Sequence, residues 1–246
     1  MRLHFSHSSQ SLARVAQAFS LCLVLVTVTA HAQSLPQIGE MLDAAGSMRP
    51  VFGVAGNFMV GPPRKGRVLS AACSARLCLA KTDSKILSPS GSVPAPAGPA
   101  LIAIQDDTAV VYFQQSQTLA RWRDNTLTPL NWNVRGTLLS LRAGPEIAVR
   151  RNNRVSIVRP DGFLVADIPG ATGPVLLLAD GILLVSQQKL IFRRPNAREL
   201  RFDLPDVETL SALGEHYVQI RARGGLYALR TEAGSEQLYM LPGTSR

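Results

Sequence analysis

Four arginines recur in this sequence at an almost constant spacing, each at the end of a short apolar run. The runs LARWR, VSIVR, LIFRR and LYALR end at Arg123, Arg159, Arg194 and Arg230, which are separated by 36, 35 and 36 residues. A planar guanidinium forms paired hydrogen bonds with a carboxylate or a phosphate. If the runs are equivalent parts of a repeat, these residues form one surface, the arginine arc, that binds an acidic macromolecule. The alternative is structural: each arginine caps the carbonyl groups of its own turn or shields a sheet edge.

Histidine and the acidic residues offer little for catalysis. His216 is the only histidine after residue 31, which argues against a metal site built from several histidines. Acidic residues such as Asp106 and Asp161 stand between predicted strands, where aspartate commonly bonds the local backbone. We therefore expect no catalytic residue, no metal and no cofactor. The alternative is a hydrolase or lyase that uses loop carboxylates together with His216.

Two cysteines, Cys73 and Cys78, enclose four residues in the pattern CSARLC. Two strands joined by a turn at Ala75-Arg76 would place the cysteines opposite each other, close enough for a disulfide in an oxidising compartment. A pair of small buried thiols fits the same pattern, and the sequence leaves both possibilities open.

The elements that carry these residues are short β-rich runs separated by Gly, Pro, Asn and Asp from Val68 onward. A second marker has the same period as the arginines: a residue followed by proline, usually an apolar one, as in Ile168-Pro169 and Leu241-Pro242. Four strands of about five or six residues with short connections need roughly 36 residues. The period therefore predicts four-stranded antiparallel blades, and Gly66 to Gly243 accommodates five of them.

The chain resembles a β-propeller, closest to the divergent propeller-like proteins exported by bacteria. The resemblance is architectural, because the WD40, kelch and quinoprotein signatures do not recur in the sequence. It implies an all-β fold of about five blades at residues 66–98, 99–135, 136–173, 174–206 and 207–243, within a single domain at residues 50–246. It also implies a role in binding or scaffolding outside the cytoplasm, and it carries over no catalytic residue.

The segment before the first blade is harder to place. Residues 33–49 are predicted to be a leader or linker with one helical turn at IGEMLDAA, and VFGVAGNFMVG is predicted to supply one or two strands. These strands close the ring by adding to the final sheet. The alternative is a sixth, degenerate blade.

The first 32 residues have the three regions of a signal peptide. Arg2 and Arg14 precede an apolar stretch from Ala18 to Ala30, and Ala30-His31-Ala32 is an A-x-A cleavage site. An uncleaved membrane anchor is the alternative, but the apolar stretch is shorter than the roughly 20 residues of a spanning helix. We predict an exported protein, periplasmic or secreted, with no transmembrane span after cleavage.

Composition is consistent with a folded, basic domain. The chain has 246 residues, 46% hydrophobic and 17% charged, which excludes a disordered or coiled-coil protein. The formal net charge is +9, and 22 of the 26 basic residues are arginine. Nucleic acid is a poor candidate partner, since the predicted protein is exported and its aromatic residues are not interleaved with basic ones.

The sequence thus predicts an exported, non-enzymatic propeller. We expect it to bind a macromolecular partner in the cell envelope or outside the cell through the arginine arc, as a monomer or as a subunit of an assembly. A purely structural role in a surface assembly is not distinguished from binding by the sequence.

Overall fold

The computed structural model describes residues 35–242, except residues 65, 133, 134, 143, 145 and 160. The predicted signal peptide, residues 1–32, lies outside the described residues. Within the described part of the chain, no helix is long and apolar enough to cross a membrane.

The described chain is a six-bladed β-propeller with no α-helix, in which five blades have four antiparallel strands and one has three. The three-stranded sheet comes first and contains β1 (Gln37–Leu42), β2 (Met48–Val54) and β3 (Asn57–Val60).

The five four-stranded sheets follow in chain order and are named blades 1 to 5. Each of the residue ranges predicted for the five blades contains the four strands of one sheet. Their strands are, for blade 1, β4 (Ser70–Cys73), β5 (Cys78–Lys81), β6 (Lys85–Ser88) and β7 (Gly91–Pro94); for blade 2, β8 (Ala100–Gln105), β9 (Thr108–Phe113), β10 (Thr118–Arg123) and β11 (Thr126–Leu130); for blade 3, β12 (Thr137–Arg142), β13 (Glu146–Arg151), β14 (Arg154–Val158) and β15 (Leu164–Ile168); for blade 4, β16 (Val175–Leu178), β17 (Gly181–Ser186), β18 (Lys189–Arg193) and β19 (Leu200–Phe202); and for blade 5, β20 (Val207–Ala212), β21 (Tyr217–Ala222), β22 (Gly225–Arg230) and β23 (Gln237–Met240).

The alternative of a sixth blade is confirmed, because β1 to β3 pair with one another and with no strand of blade 5. The helical turn predicted at residues 38–45 is wrong. The backbone of β1 is instead held by blade 5: Glu40 N–H donates to the Leu213 carbonyl at 3.0 Å, and both backbone polar groups of Leu42 bond the Gln219 side chain, at 2.9 and 2.6 Å. These contacts are made to residues distant in sequence, so local sequence pattern does not reveal them.

The direction of β1 identifies which strand this blade lacks. The start of β1 contacts Leu213, before β21, and its end contacts Arg221, near the end of β21. It therefore runs in the direction of β21, the second strand of blade 5. The strands β1 to β3 correspond to the second, third and fourth strands of the other blades, and the described residues supply no first strand for this sheet.

The core lies between adjacent blades. Each sheet buries apolar residues on both faces, and the largest cluster combines Leu183 and Phe192 of blade 4 with Val218 and Ile220 of blade 5. The apolar residue of the repeated X-Pro marker is part of this packing: Ile168, Leu204 and Leu241 are at most 5% exposed. The first strands are joined by serine hydroxyls, as Ser70 accepts the Ala100 N–H and Ser140 accepts the Leu177 N–H.

Tight turns join the second and third strands. Asn152 and Asn153 have φ of 46° and 62°, and Gln187 and Gln188 have φ of 49° and 58°. Two successive positive φ values match the right-handed twist of the flanking strands. Asparagine adopts this conformation readily, whereas glutamine does so here because the strands on both sides are fixed by packing against neighbouring blades.

A lysine is fully buried between blades 1 and 2. Lys81 ends β5, and its ammonium group donates to the carbonyls of Thr82 and Asp83 at 2.5 and 2.8 Å and lies 6.0 Å from the centre of the Phe113 ring. Loss of hydration lowers the pKa of Lys81, and the nearby charge of Asp83 opposes this only in part.

The buried lysine predicts a specific alkaline dependence of stability. Between the lowered pKa of folded Lys81 and its ordinary value near 10.5, the unfolded chain holds a proton that the folded chain has released. Stability conferred by this site should therefore rise with pH in that window. The test is urea unfolding of the wild type and of Lys81→Met from pH 7.5 to 10.5. The unfolding free energy of the wild type relative to that of the variant should increase with pH. A difference independent of pH would contradict the assignment.

Candidate partner-binding surface

The four arginines of the predicted arc occupy equivalent strand positions. Arg123 and Arg230 end the third strands of blades 2 and 5, and Arg159 and Arg194 follow the third strands of blades 3 and 4 by one residue. Since successive strands alternate in direction, all four lie at the same end of their sheets, where third and fourth strands connect. Their surroundings differ strongly.

Arg194 is committed to the contact between blades 4 and 5. Its guanidinium pairs with Asp180 at 2.7 Å within blade 4, and with the Glu236 carboxylate and the Thr231 carbonyl in blade 5. It also lies 4.4 Å from the centre of the buried Phe192 ring. The side chains of Arg194 and Glu236 are each only 12% exposed.

In this largely buried pair, each side chain shifts the pKa of the other toward the charged form. Burial alone would raise the pKa of Glu236, but hydrogen bonds from its own backbone and from Arg194 outweigh burial and lower it. Burial alone would lower the pKa of Arg194, but Asp180 and Glu236 outweigh it and raise it. Both side chains are therefore charged in the folded protein, and Arg194 is not available to a partner.

Arg230 is also engaged within the chain. Its guanidinium bonds the Glu232 carboxylate two residues later, and its side chain is 29% exposed. The hydrogen bond to Glu232 raises the pKa of Arg230.

Blade 1 provides a second contact from this position to the next blade. Ser88, which stands where the other blades have arginine, lies 2.7 Å from the Asn125 side chain in blade 2, and Asn125 in turn donates to Ser90 at 3.0 Å. At two of the junctions, therefore, the end of the third strand links one blade to the next. These contacts favour the structural interpretation for Arg194, although the link extends to the neighbouring blade rather than to the residue's own turn.

Arg123 and Arg159 remain exposed. The Arg123 side chain is 73% exposed, with Asp124 at 3.6 Å, and Arg159 lies 5.5 Å from the centre of the Phe163 ring. Phe163, Leu164 and Val165 are 61%, 52% and 39% exposed, and Phe163 directly precedes the outer strand of blade 3, which the other two begin. We call Arg159 and Phe163 to Val165 the blade 3 corner. It combines a stacked guanidinium with three adjacent exposed apolar side chains.

Several other arginines bond backbone carbonyls across blade junctions. Arg142 reaches Gly181 at 3.1 Å from blade 3 to blade 4, and Arg221 of blade 5 reaches the carbonyls of Leu42 and Asp43 at 3.3 and 2.9 Å. Such contacts use the several donors of a guanidinium at once. They account for part of the preference for arginine over lysine in this chain.

His216 lies in the turn between the first and second strands of blade 5. Its side chain is 53% exposed, and its Nε2 atom is 3.9 Å from the Glu215 carboxylate, which is 63% exposed. Neither residue lines the cavities described below. Among the described residues, no group of three or more His, Cys, Asp or Glu is arranged to hold a metal ion.

Cys73 and Cys78 are directly paired across β4 and β5, with 4.0 Å between their Cα atoms and the sulfur atoms joined. The turn at Ala75-Arg76 is closed by the Ser74 N–H donating to the Leu77 carbonyl at 2.8 Å. The cysteines therefore form a pair without backbone hydrogen bonds between them, in which side chains approach closely. Formation of the bond in the exported protein stays a prediction.

Two cavities meet on the opposite side of the propeller from the arginine arc. A central cavity of about 560 Å³ is lined by the first strands of blades 1 to 5 and by the end of β1. A cleft of about 450 Å³ lies between the three-stranded sheet and blade 5, and both cavities include Asp43, Glu208 and Arg221 in their walls. These residues belong to no repeated motif, so the 36-residue period of the sequence does not point to them.

Comparison with known proteins gives structural neighbours only. No family model and no curated protein matches the chain. PorZ, a surface component of the type-IX secretion system of Porphyromonas gingivalis, is 14% identical to this chain, with a TM-score of 0.49. The match covers 85% of this chain and 39% of PorZ. AztD of Citrobacter koseri is 15% identical with a TM-score of 0.41, and the match covers 83% of this chain and 69% of AztD. The Pan2 WD40 domain of Neurospora crassa is 9% identical with a TM-score of 0.46, and the match covers 89% of this chain and 82% of the Pan2 domain. At these values the neighbours say nothing about what this chain binds.

Arg194 and Arg123 provide a matched pair for testing stability. Arg194→Ala leaves Glu236 buried without its partner and should lower the unfolding free energy by about 3 kcal/mol. Arg123→Ala, at the same position of the repeat, should change it by less than about 0.5 kcal/mol. Urea unfolding of both variants measures the difference, and equal effects would show that Arg194 does not join the two blades.

Mass spectrometry after alkylation shows whether Cys73 and Cys78 form a disulfide or are free thiols. Protein beginning at residue 33 should gain no iodoacetamide adducts when denatured without reductant and two adducts after reduction. The Cys73→Ser variant should gain one adduct in either case. Two adducts on the unreduced wild type would identify the cysteines as free thiols.

Proposed function

We propose that this protein is an exported, non-enzymatic binding module and that its partner is a protein with an acidic, partly apolar surface. The observation that carries the proposal is the blade 3 corner, where Arg159 and three apolar side chains are exposed together. Singly exposed apolar residues are normal, but three consecutive ones next to a guanidinium have the composition of an interaction site.

The basic part of the proposed surface consists of Arg123 and Arg159. Both are exposed, and they lie on adjacent blades at the same end of the propeller. Among the described residues, Asp124 is the only carboxylate within 4.0 Å of either guanidinium, and this pair is solvent-exposed and therefore weak. A carboxylate from a partner would bind more strongly because contact with the partner also excludes water. The proposed partner surface therefore includes only Arg123 and Arg159 of the four residues in the arginine arc.

Export is supported by the sequence of residues 1–32 and by the cross-strand position of Cys73 and Cys78. A hydrolase or lyase would need His216 in a pocket beside a carboxylate. The exposed position of His216, outside the two cavities, gives that alternative no support.

The surface predicts loss of partner capture without loss of stability. The mature wild-type protein, immobilised on beads, should retain a specific acidic protein from a cell-envelope extract of its own organism. Capture should fall by at least about tenfold for Arg123→Ala/Arg159→Ala and for Phe163→Ser/Leu164→Ser. It should also weaken as salt is raised, because charged groups contribute to it.

The matched control is Arg154→Ala combined with Arg223→Ala, which removes two exposed arginines from the hairpins at the opposite end of the propeller. Its capture should equal that of the wild type, and all variants should unfold at the wild-type urea concentration. Undiminished capture by the double variants, or an equal decrease in the control, would refute the proposed surface.

A further inference from the structure

The cleft between the three-stranded sheet and blade 5 holds a positive and a negative side chain that do not neutralise each other. Glu208 is near the start of β20 and Arg221 near the end of β21, and both line the cleft and the adjoining central cavity. This end of the sheets carries the hairpin between second and third strands, so it is opposite the proposed partner surface. The inference below is independent of the proposed function.

Arg221 is fixed in place by the neighbouring blade. One of its terminal nitrogens donates to the carbonyls of Leu42 and Asp43, at 3.3 and 2.9 Å. The Asp43 carboxylate is occupied elsewhere, since it accepts the backbone N–H groups of Ala45 and Ser47 and the Nε of Arg49. Arg221 is thus held by carbonyl dipoles and has no carboxylate within 4.0 Å among the described residues.

Glu208 owes its position to a β-bulge. Val207 pairs with Ala222 and Thr209 with Arg221, so Glu208 is an extra residue between two pairs. Bulges redirect side chains and interrupt regular pairing. Blade 3 also has a bulge in its first strand, at Leu139, but it lies two residue pairs further along the strand than the bulge of blade 5. The position of Glu208 is therefore particular to blade 5 among these two blades.

Glu208 and Arg221 are close in the strand register but form no ion pair among the described residues. Cβ atoms of paired residues on adjacent antiparallel strands are about 5 Å apart, and Glu208 is next to the residue paired with Arg221. The separation of their charged atoms nevertheless exceeds the 4.0 Å limit of an ion pair. A ligand that carries an ammonium and a carboxylate on one carbon atom could bond both side chains at once. The rest of the cleft has an apolar wall that includes Met41, Val60 and Pro242.

We propose that this cleft binds a free α-amino acid with an apolar side chain. Arg221 holds the ligand carboxylate, Glu208 holds its ammonium group, and the ligand side chain packs against Met41 and Val60. Arg223, whose side chain is 83% exposed and 3.3 Å from Asp206, stands at the rim. Each charged contact is made only by a ligand that has the corresponding group, so the cleft selects the zwitterion.

Titration calorimetry with three related probes tests this. L-phenylalanine has both charged groups, L-phenylalaninamide lacks the carboxylate, and 3-phenylpropanoate lacks the ammonium. The wild type should bind L-phenylalanine at least about tenfold more tightly than either of the others. In Glu208→Gln, affinity for L-phenylalanine should fall to about that for 3-phenylpropanoate, while affinity for 3-phenylpropanoate should not decrease.

Glu208→Gln is the informative variant because the Glu208 side chain makes no ion pair among the described residues, whereas Arg221→Gln also removes bonds to Leu42 and Asp43. Glu215→Gln, another exposed glutamate of blade 5, is the matched control and should bind like the wild type. Arg123→Ala/Arg159→Ala should also bind L-phenylalanine normally, which separates this site from the proposed partner surface. No binding to the wild type, equal affinity for all three probes, or an unchanged preference in Glu208→Gln would overturn the proposal.

Discussion

The structure depends on one constraint: each small sheet has two apolar faces and can bury them only against its neighbours. Leu183 and Phe192 of blade 4 are buried by residues of blade 5, and Ala148 and Ile157 of blade 3 are buried together with residues of blade 4. No blade has a core of its own, so the sheets must form a closed ring. The three-stranded N-terminal sheet fills the remaining place, between the last blade and the first.

The same constraint explains where the arginines are. Backbone carbonyls at a junction between blades need hydrogen-bond partners, because burying them without one would be costly. Arg142, Arg150 and Arg221 reach such carbonyls on the neighbouring element. Arg194 adds a buried ion pair to the same kind of contact. A basic composition in this chain is therefore partly a consequence of how its repeats are joined.

The sequence was sufficient to predict the blades because their period is expressed in residues that each unit needs locally. The strand patterns, the residues before proline and the hairpin turns are interpretable within about 36 residues. The N-terminal sheet was less predictable, since Glu40 and Leu42 find their hydrogen-bond partners about 175 residues later in the chain, among them Leu213 and Gln219. Arg194 and Arg123 likewise could not be distinguished, because Glu236, which sets the environment of Arg194, belongs to the next repeat.

Departures from the repeat are the most informative positions for function. The end of the third strand is explained by contacts between blades at two junctions, through Ser88 and Arg194. Arg159 occupies the same position but contacts the exposed Phe163, and Glu208 is the extra residue of a bulge that has no equivalent in blade 3. Both residues leave a charged group exposed without an ion pair among the described residues. Packing of the ring therefore does not account for these two side chains, which lie at opposite ends of the propeller.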